Sequence, residues 1–214
     1  MESKRAKFLA RATILIWFFA TAAGITIFLR YENTPGIAGS VPDQWPENSG
    51  IQLATDRHTL IMLAHPRCPC TRASIHELSR ITALLDGRLT VYVVFIKPDG
   101  VEKDWERSDM WATASAIPHV RVISDAQGLE TKRFDSYTSG QTVLYDKGGK
   151  RLFSGGITAM RGMEGDSLGA DSIVSLVNGE RSSVEETYVY GCPLFANDQI
   201  DAAKKEDVNA DSKR

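Results

Sequence analysis

The stretch Thr59-Leu60-Ile61-Met62-Leu63-Ala64-His65-Pro66-Arg67-Cys68-Pro69-Cys70 decides the fold. Its first six residues are an unbroken apolar run, too short for a helix, which is the pattern of a strand buried on both faces. A turn of His, Pro and Arg follows, and then two cysteines one residue apart. Beyond them, 71–85 carries Ile75, Leu78, Ile81 and Leu85 on one helical face and is ended by Asp86-Gly87. A strand therefore enters a helix through a cysteine-bearing turn.

Working outward, 89–96 (Leu-Thr-Val-Tyr-Val-Val-Phe-Ile) is a second buried strand. Residues 105–117 are expected as a helix stopped by Pro118, 119–124 as a short strand and 129–134 as a brief helix. The segments 141–145 and 151–154 flank Asp146-Lys147-Gly148-Gly149, whose glycines suit a hairpin turn, and 167–177 closes as a helix. The order is βαβαβαββα. Parallel strands need long crossovers and a hairpin only a short turn, so the order implies an α/β fold: a three-layer α/β/α sandwich with a mixed sheet, over 51–180.

Toward the amino terminus, 12–29 is a run of uncharged residues rich in Ile, Leu, Phe and Ala, long enough as a helix to span a hydrocarbon core. Lys4, Arg5, Lys7 and Arg11 precede it and only Arg30 follows closely, so residues 1–11 are expected in the cytoplasm and the rest on the extracytoplasmic, periplasmic side of a single-pass protein. Ala20-Thr21-Ala22 offers a rival reading as a cleaved signal peptide, although the apolar stretch continues through Leu29. Both readings export the domain. Residues 30–50, rich in Pro and Gly, are expected as an extended linker. Residues 181–214 form an extension that carries Cys192, and after Phe195 the tail is too polar to fold.

Net charge is −2, from 25 basic and 27 acidic residues without broad basic clustering, which excludes a nucleic-acid partner. Three cysteines are too few and too unevenly spaced for a disulfide scaffold. The pair Cys68 and Cys70 opens a helix, where backbone N–H groups and the helix dipole stabilise a thiolate.

The junction from Met62 to Cys70 resembles that of thioredoxin-like proteins, especially membrane-tethered bacterial thiol-disulfide reductases and the peroxiredoxin superfamily. Ile123-Ser124-Asp125 and Val143-Leu144-Tyr145-Asp146-Lys147-Gly148-Gly149 resemble two further segments of those families. A RedB-like group of thioredoxin-fold membrane proteins is closer still, on His65-Pro66-Arg67-Cys68-Pro69-Cys70, Ser154-Gly155-Gly156-Ile157-Thr158, Arg161-Gly162-Met163-Glu164-Gly165-Asp166 and Gly191-Cys192-Pro193-Leu194. The resemblance implies redox-active cysteines and, as partners, exported protein thiols or disulfides. It also shows two departures. Against a Cys-x-x-Cys motif, Pro69 and Cys70 match while the usual nucleophile position falls on Arg67. The loop opposite the motif, which in the family presents a cis-proline, is expected near Gly140 and Gln141, and this chain has no proline between Pro118 and Pro193.

A Cys68–Cys70 disulfide would close a small ring stiffened by Pro69, and strain makes such a bond readily reduced. Arg67 adds a charge that favours thiolate. Cys68 is assigned as the attacking sulfur and Cys70 as its resolving partner, in a thiol-disulfide oxidoreductase that needs no cofactor. The fifteen residues after Val177 can extend to about 50 Å, enough to return Cys192 to the motif. Two alternatives stay open. Cys68 and Cys70, with His65 nearby and Met160 and Met163 in a later loop, form a soft donor set for Cu(I), and in thioredoxin-like proteins the missing proline restricts metal access. The other alternative is a redox-inert adaptor in which the thiols only pack. Asp166 or Ser167 is expected to cap the last helix.

Overall fold

A computed structural model describes residues 2–196. The chain divides into two compact units, which meet between Thr34 and Pro35. The first is a single helix, α1 (Glu2–Glu32). Its part Arg5–Glu32 is long and apolar enough to cross a membrane, and its large side chains face outward on every side, Ile16, Trp17, Phe19 and Ile27 among them. A helix apolar all round needs an apolar surrounding.

The second unit follows the expected order: β1 (His58–Ala64), α2 (Pro69–Leu85), β2 (Leu89–Lys97), α3 (Asp109–Ser115), β3 (Val120–Ala126), α4 (Leu129–Arg133), β4 (Gln141–Tyr145), β5 (Arg151–Gly155) and α5 (Leu168–Val177). The strands form one sheet in the order β3-β2-β1-β4-β5. β1 is parallel to β2 and β2 to β3, whereas β4 is antiparallel to both β1 and β5. The apolar runs are continuous because both faces of the central strands are covered. Leu60, Met62 and Ala64 of β1 and Val91, Val93 and Phe95 of β2 point to one face, where Ile75, Leu78, Ile81 and Leu85 of α2 and Ile173 of α5 meet them. Ile61, Leu63, Tyr92, Val94 and Ile96 point to the other.

That second face is where the sequence reading needs correction. α4 has only five residues and cannot cover it alone. The stretch 30–50, expected as a spacer, is from Pro35 onward part of the domain. Ile37, Val41 and Trp45 lie against this face, and the Trp45 ring meets Phe134 and Tyr145 edge-on at 5.1 Å each. The Trp45 N–H donates to the Gly149 carbonyl (2.7 Å) and the Tyr145 hydroxyl to that of Pro42 (2.9 Å). The Glu130 carboxylate accepts from the Ser49 hydroxyl (2.7 Å) and the Gly50 N–H (2.8 Å). Proline and glycine here mark an extended chain that is packed rather than free.

The extension after α5 is also built in. The Ser154 N–H donates to the Glu185 carbonyl (3.0 Å) and the Thr187 N–H to that of Ser154 (3.2 Å), so this segment runs beside β5. Leu194 and Phe195 then bury themselves in the second face. The expected tail beyond lies outside the described residues. α3 begins at Asp109 rather than 105, because Glu106 is buried in a turn by Lys97 (3.1 Å) and the Ser124 hydroxyl (2.8 Å). Ser167 caps α5, its hydroxyl accepting from the Ala170 N–H (3.2 Å).

Candidate active site at the Cys-Pro-Cys turn

β1 ends at Ala64 and α2 begins at Pro69, so the turn between them stands at the carboxyl end of the central strand. Cys68 is the N-cap of α2, with extended dihedrals (φ −89°, ψ 114°), and Pro69 occupies the first helical position, where its missing N–H removes no helical bond. The free N–H groups of a 17-residue helix therefore open beside the Cys68 sulfur. All three cysteines are free thiols.

Cys68 is wholly buried. Burial alone pushes its thiol up, but hydrogen bonds from the Thr71 hydroxyl, from the Cys192 thiol and from the amides of both residues outweigh it and hold the thiol below its ordinary range. The Cys192 N–H is 3.3 Å from the Cys68 sulfur. Thr71 is in turn held by Ser139, their hydroxyls 2.5 Å apart, and the Ser139 oxygen accepts from the His65 N–H (2.7 Å). With the Thr71 hydrogen given to sulfur, the Ser139 hydrogen goes to Thr71. The chain of donors then runs from the end of β1 through the loop before β4 to the thiolate.

The other two thiols are pushed the opposite way. Burial and the charge of Cys68 raise Cys70, partly offset by the Arg161 guanidinium beside it. Burial, the hydrogen bond to Cys68 and the charges of Cys68 and Cys70 raise Cys192 to about 12. Of three converging sulfurs, Cys68 is the one that ionises first.

Arg67, expected to act on Cys68, instead lays its guanidinium over the Trp105 ring, 4.9 Å from the centroid. His65 meets the same ring edge-on at 5.4 Å, and its Nδ1 accepts from the Arg67 N–H (3.1 Å). Burial and the neighbouring Arg67 hold the His65 imidazole below its usual pKa. Gly140 bridges to β1, its N–H on the Leu63 carbonyl (2.8 Å), with a left-handed φ of +91°. Gln141 donates its amide N–H to the Ser154 hydroxyl of β5 (2.9 Å). Met163 is exposed.

Sequence reading missed Thr71, Ser139, Trp105 and Arg161. Thr71 directly follows the motif in the first turn of α2, and that position was its one available signal. Ser139 and Arg161 come from loops whose approach to the turn is set by the sheet, as is that of Gly191, whose carbonyl accepts from Arg161 Nη1 (2.8 Å).

No family profile matches the chain, and no curated protein does. Among solved structures, it is similar to an uncharacterized conserved protein from Geobacillus kaustophilus, with 15% identity, a TM-score of 0.57 and coverage of 78% of this chain and 95% of that one. A hypothetical protein from Sinorhizobium meliloti is similar at 14% identity and a TM-score of 0.55, over 75% of this chain and 93% of that one. A secreted Mycobacterium tuberculosis disulfide oxidoreductase homologous to E. coli DsbE has 16% identity and a TM-score of 0.41, over 59% and 84%. Likeness at these identities is one of fold. With three parallel strands, an antiparallel pair beyond them, helices on both faces and a cysteine pair where β1 meets α2, the domain is a thioredoxin-like α/β/α sandwich.

Proposed function

We propose that this chain is a membrane-anchored, extracytoplasmic thioredoxin-like protein that exchanges disulfides with exported protein thiols through its Cys-Pro-Cys motif. The observation that carries this reading is the Cys68 sulfur, at the N-terminus of α2, stabilised as thiolate by hydrogen bonds from Thr71 and Cys192. A thiolate is the attacking form of a cysteine, and a lowered pKa also makes it a good leaving group, so one sulfur serves both directions of exchange. The Cys68 thiolate attacks one sulfur of a partner disulfide, forming a mixed disulfide and releasing the other partner sulfur as thiolate. A second thiol of this chain then attacks Cys68, freeing the partner's remaining sulfur. The partner is reduced by two electrons and this chain oxidised by two.

The anchor reading rests on α1, whose apolar surface suits a hydrocarbon surrounding, and on the basic residues Lys4, Arg5, Lys7 and Arg11 before it. In intact cells, an impermeant thiol reagent applied after reduction should reach the domain, and labelling only after lysis would count against export.

The test of the chemistry is thiol trapping of the full chain in detergent micelles with a model disulfide. Wild type should form a mixed disulfide through Cys68, and Cys68→Ser should lose exchange at least about 100-fold, as expected for a nucleophile. Tight Cu(I) binding by the reduced chain together with poor exchange would overturn this reading in favour of metal handling. Neither activity would leave an inert adaptor.

A further inference from the structure

The segment 191–195 is docked on the loop before β4 as a short extra strand. The Ser139 N–H donates to the Cys192 carbonyl (2.9 Å), the Leu194 N–H donates to the Tyr137 carbonyl (2.8 Å), and Thr138 stands opposite Pro193 in an antiparallel bridge. Arg161 holds the Gly191 carbonyl, and the buried side chains of Leu194 and Phe195 anchor the far end. Gly191 is packed so closely that a Cβ there would stand 1.9 Å from the Ser139 carbonyl oxygen. This docking sets the Cys192 N–H on the Cys68 sulfur and leaves Cys68 with 0% of its surface exposed.

We propose that Cys192, and not Cys70, is the thiol that resolves the mixed disulfide on Cys68, and that 191–195 is a strap which lifts to admit a partner disulfide and redocks to expel it. The inference rests on the exchange reading above and deepens it.

Geometry separates the two candidate sulfurs. Both Cys70 and Cys192 reach the Cys68 sulfur through their thiols. A Cys68–Cys70 bond would close a small ring across Pro69 at the first turn of α2, and the strain of that ring favours its reopening. Cys192 approaches from another strand, through backbone pairing that already aims it at Cys68.

The chemistry follows in balance. With the strap lifted, the Cys68 thiolate attacks a partner disulfide and releases one partner thiolate, which takes up a proton. The strap redocks, and the Cys192 thiol gives its proton to solvent as its sulfur attacks Cys68. The Cys68–Cys192 bond forms, the bond from Cys68 to the partner breaks, and the partner's second sulfur leaves with the electron pair and is protonated. A dithiol of another exported protein then reduces Cys68–Cys192 by the reverse steps. Two of the causes that keep Cys192 protonated, the hydrogen bond to Cys68 and its negative charge, vanish once Cys68 is in a mixed disulfide. The resolving thiol is thus released for ionisation at the step that needs it.

The test uses the full chain in detergent micelles, equilibrated with glutathione and glutathione disulfide, blocked at free thiols and cut by trypsin. Arg67 and Arg72 bound the peptide 68–72, and Arg181 and Lys204 bound 182–204. The oxidised protein should yield these two peptides joined, with the bond on Cys68. Cys192→Ser should accumulate the mixed disulfide with glutathione, its release slowed about 100-fold, since a tethered thiol acts at a high effective concentration. Gly191→Ala, which alters no thiol, should lift the strap and speed alkylation of Cys68 about tenfold through more frequent opening. An internal disulfide confined to 68–72 in wild type, with Cys192 alkylated, would overturn this inference and leave the exchange reading standing. A wild-type chain forming no mixed or internal disulfide would overturn the exchange reading and this inference together.

Discussion

The hydroxyls of Thr71 and Ser139, 68 positions apart, lie 2.5 Å from each other in the interior. The first turn of α2 and the loop before β4 are thereby held as one unit around the Cys68 sulfur, to which the Thr71 hydroxyl donates.

Thr71→Val keeps the side chain's shape and removes that donor. The Cys68 pKa should rise, because a hydrogen bond to the charged form is lost. The pH dependence of Cys68 alkylation in the full chain measures this, and an unchanged midpoint would show that Thr71 does not hold the thiolate. Ser139→Ala, which only frees Thr71 to turn, should shift it less.

The reduced domain should lose stability on acidification through the histidine range. Burial and Arg67 hold the folded His65 pKa below its unfolded value. The unfolded state therefore binds more protons between the two, so stability is fully present above about pH 6.5 and falls as pH drops through the folded pKa. His58, also lowered by burial, adds to the effect. Thermal melts of His65→Gln between pH 7 and 5 should fall less steeply than those of wild type. Parallel curves would remove His65 from the account.

Asp125 should be among the most sensitive polar residues outside the site. Its buried carboxylate accepts from the N–H of Glu130 (2.9 Å), the N–H of Thr131 (2.9 Å) and the Thr131 hydroxyl (2.6 Å), which starts α4. Asp125→Ala leaves these donors without partners, at a cost of about 2–4 kcal/mol. Urea denaturation reads it directly, and a loss under about 0.5 kcal/mol, the level of an ordinary surface change, would contradict the burial described.

A domain cut to begin at residue 51 should fold worse than one beginning at 35, because the shorter form lacks Val41 and Trp45 of the second-face core. Trp45→Ala in the full chain should cost about 2–4 kcal/mol for lost aromatic packing. Equal melting of the two truncations would restore the view of 35–50 as a spacer.

Most of the sandwich was legible because strand and helix periodicity report burial directly. Ile75, Leu78, Ile81 and Leu85 do line the core face of α2, and the apolar runs of β1 and β2 are covered on both faces. Segments without periodicity were not legible. Ile37, Val41 and Trp45 are isolated among prolines and glycines, and an extended chain that packs reads like one that does not. At the site, adjacency in sequence suggested Cys70 and Arg67 as the partners of Cys68; Cys70 does bond to it, but the donors that hold the thiolate are Thr71 and Cys192, and Arg67 lies over Trp105. The approach of Cys192 depends on pairing between 137–139 and 192–194, a contact between distant segments that no local pattern encodes.

The span between the two sulfurs also bears on how long the molecule withstands proteolysis. A bond from Cys68 to Cys192, 124 positions apart, would enclose everything from α2 to α5 in one covalent ring. Closing a ring of that size restricts the unfolded chain by about 4–5 kcal/mol in the chain-entropy account. Each turnover would then move the domain between a hard-to-unfold and an easily unfolded form. Proteases of the compartment would sense the electron supply through it, clearing the reduced chain first.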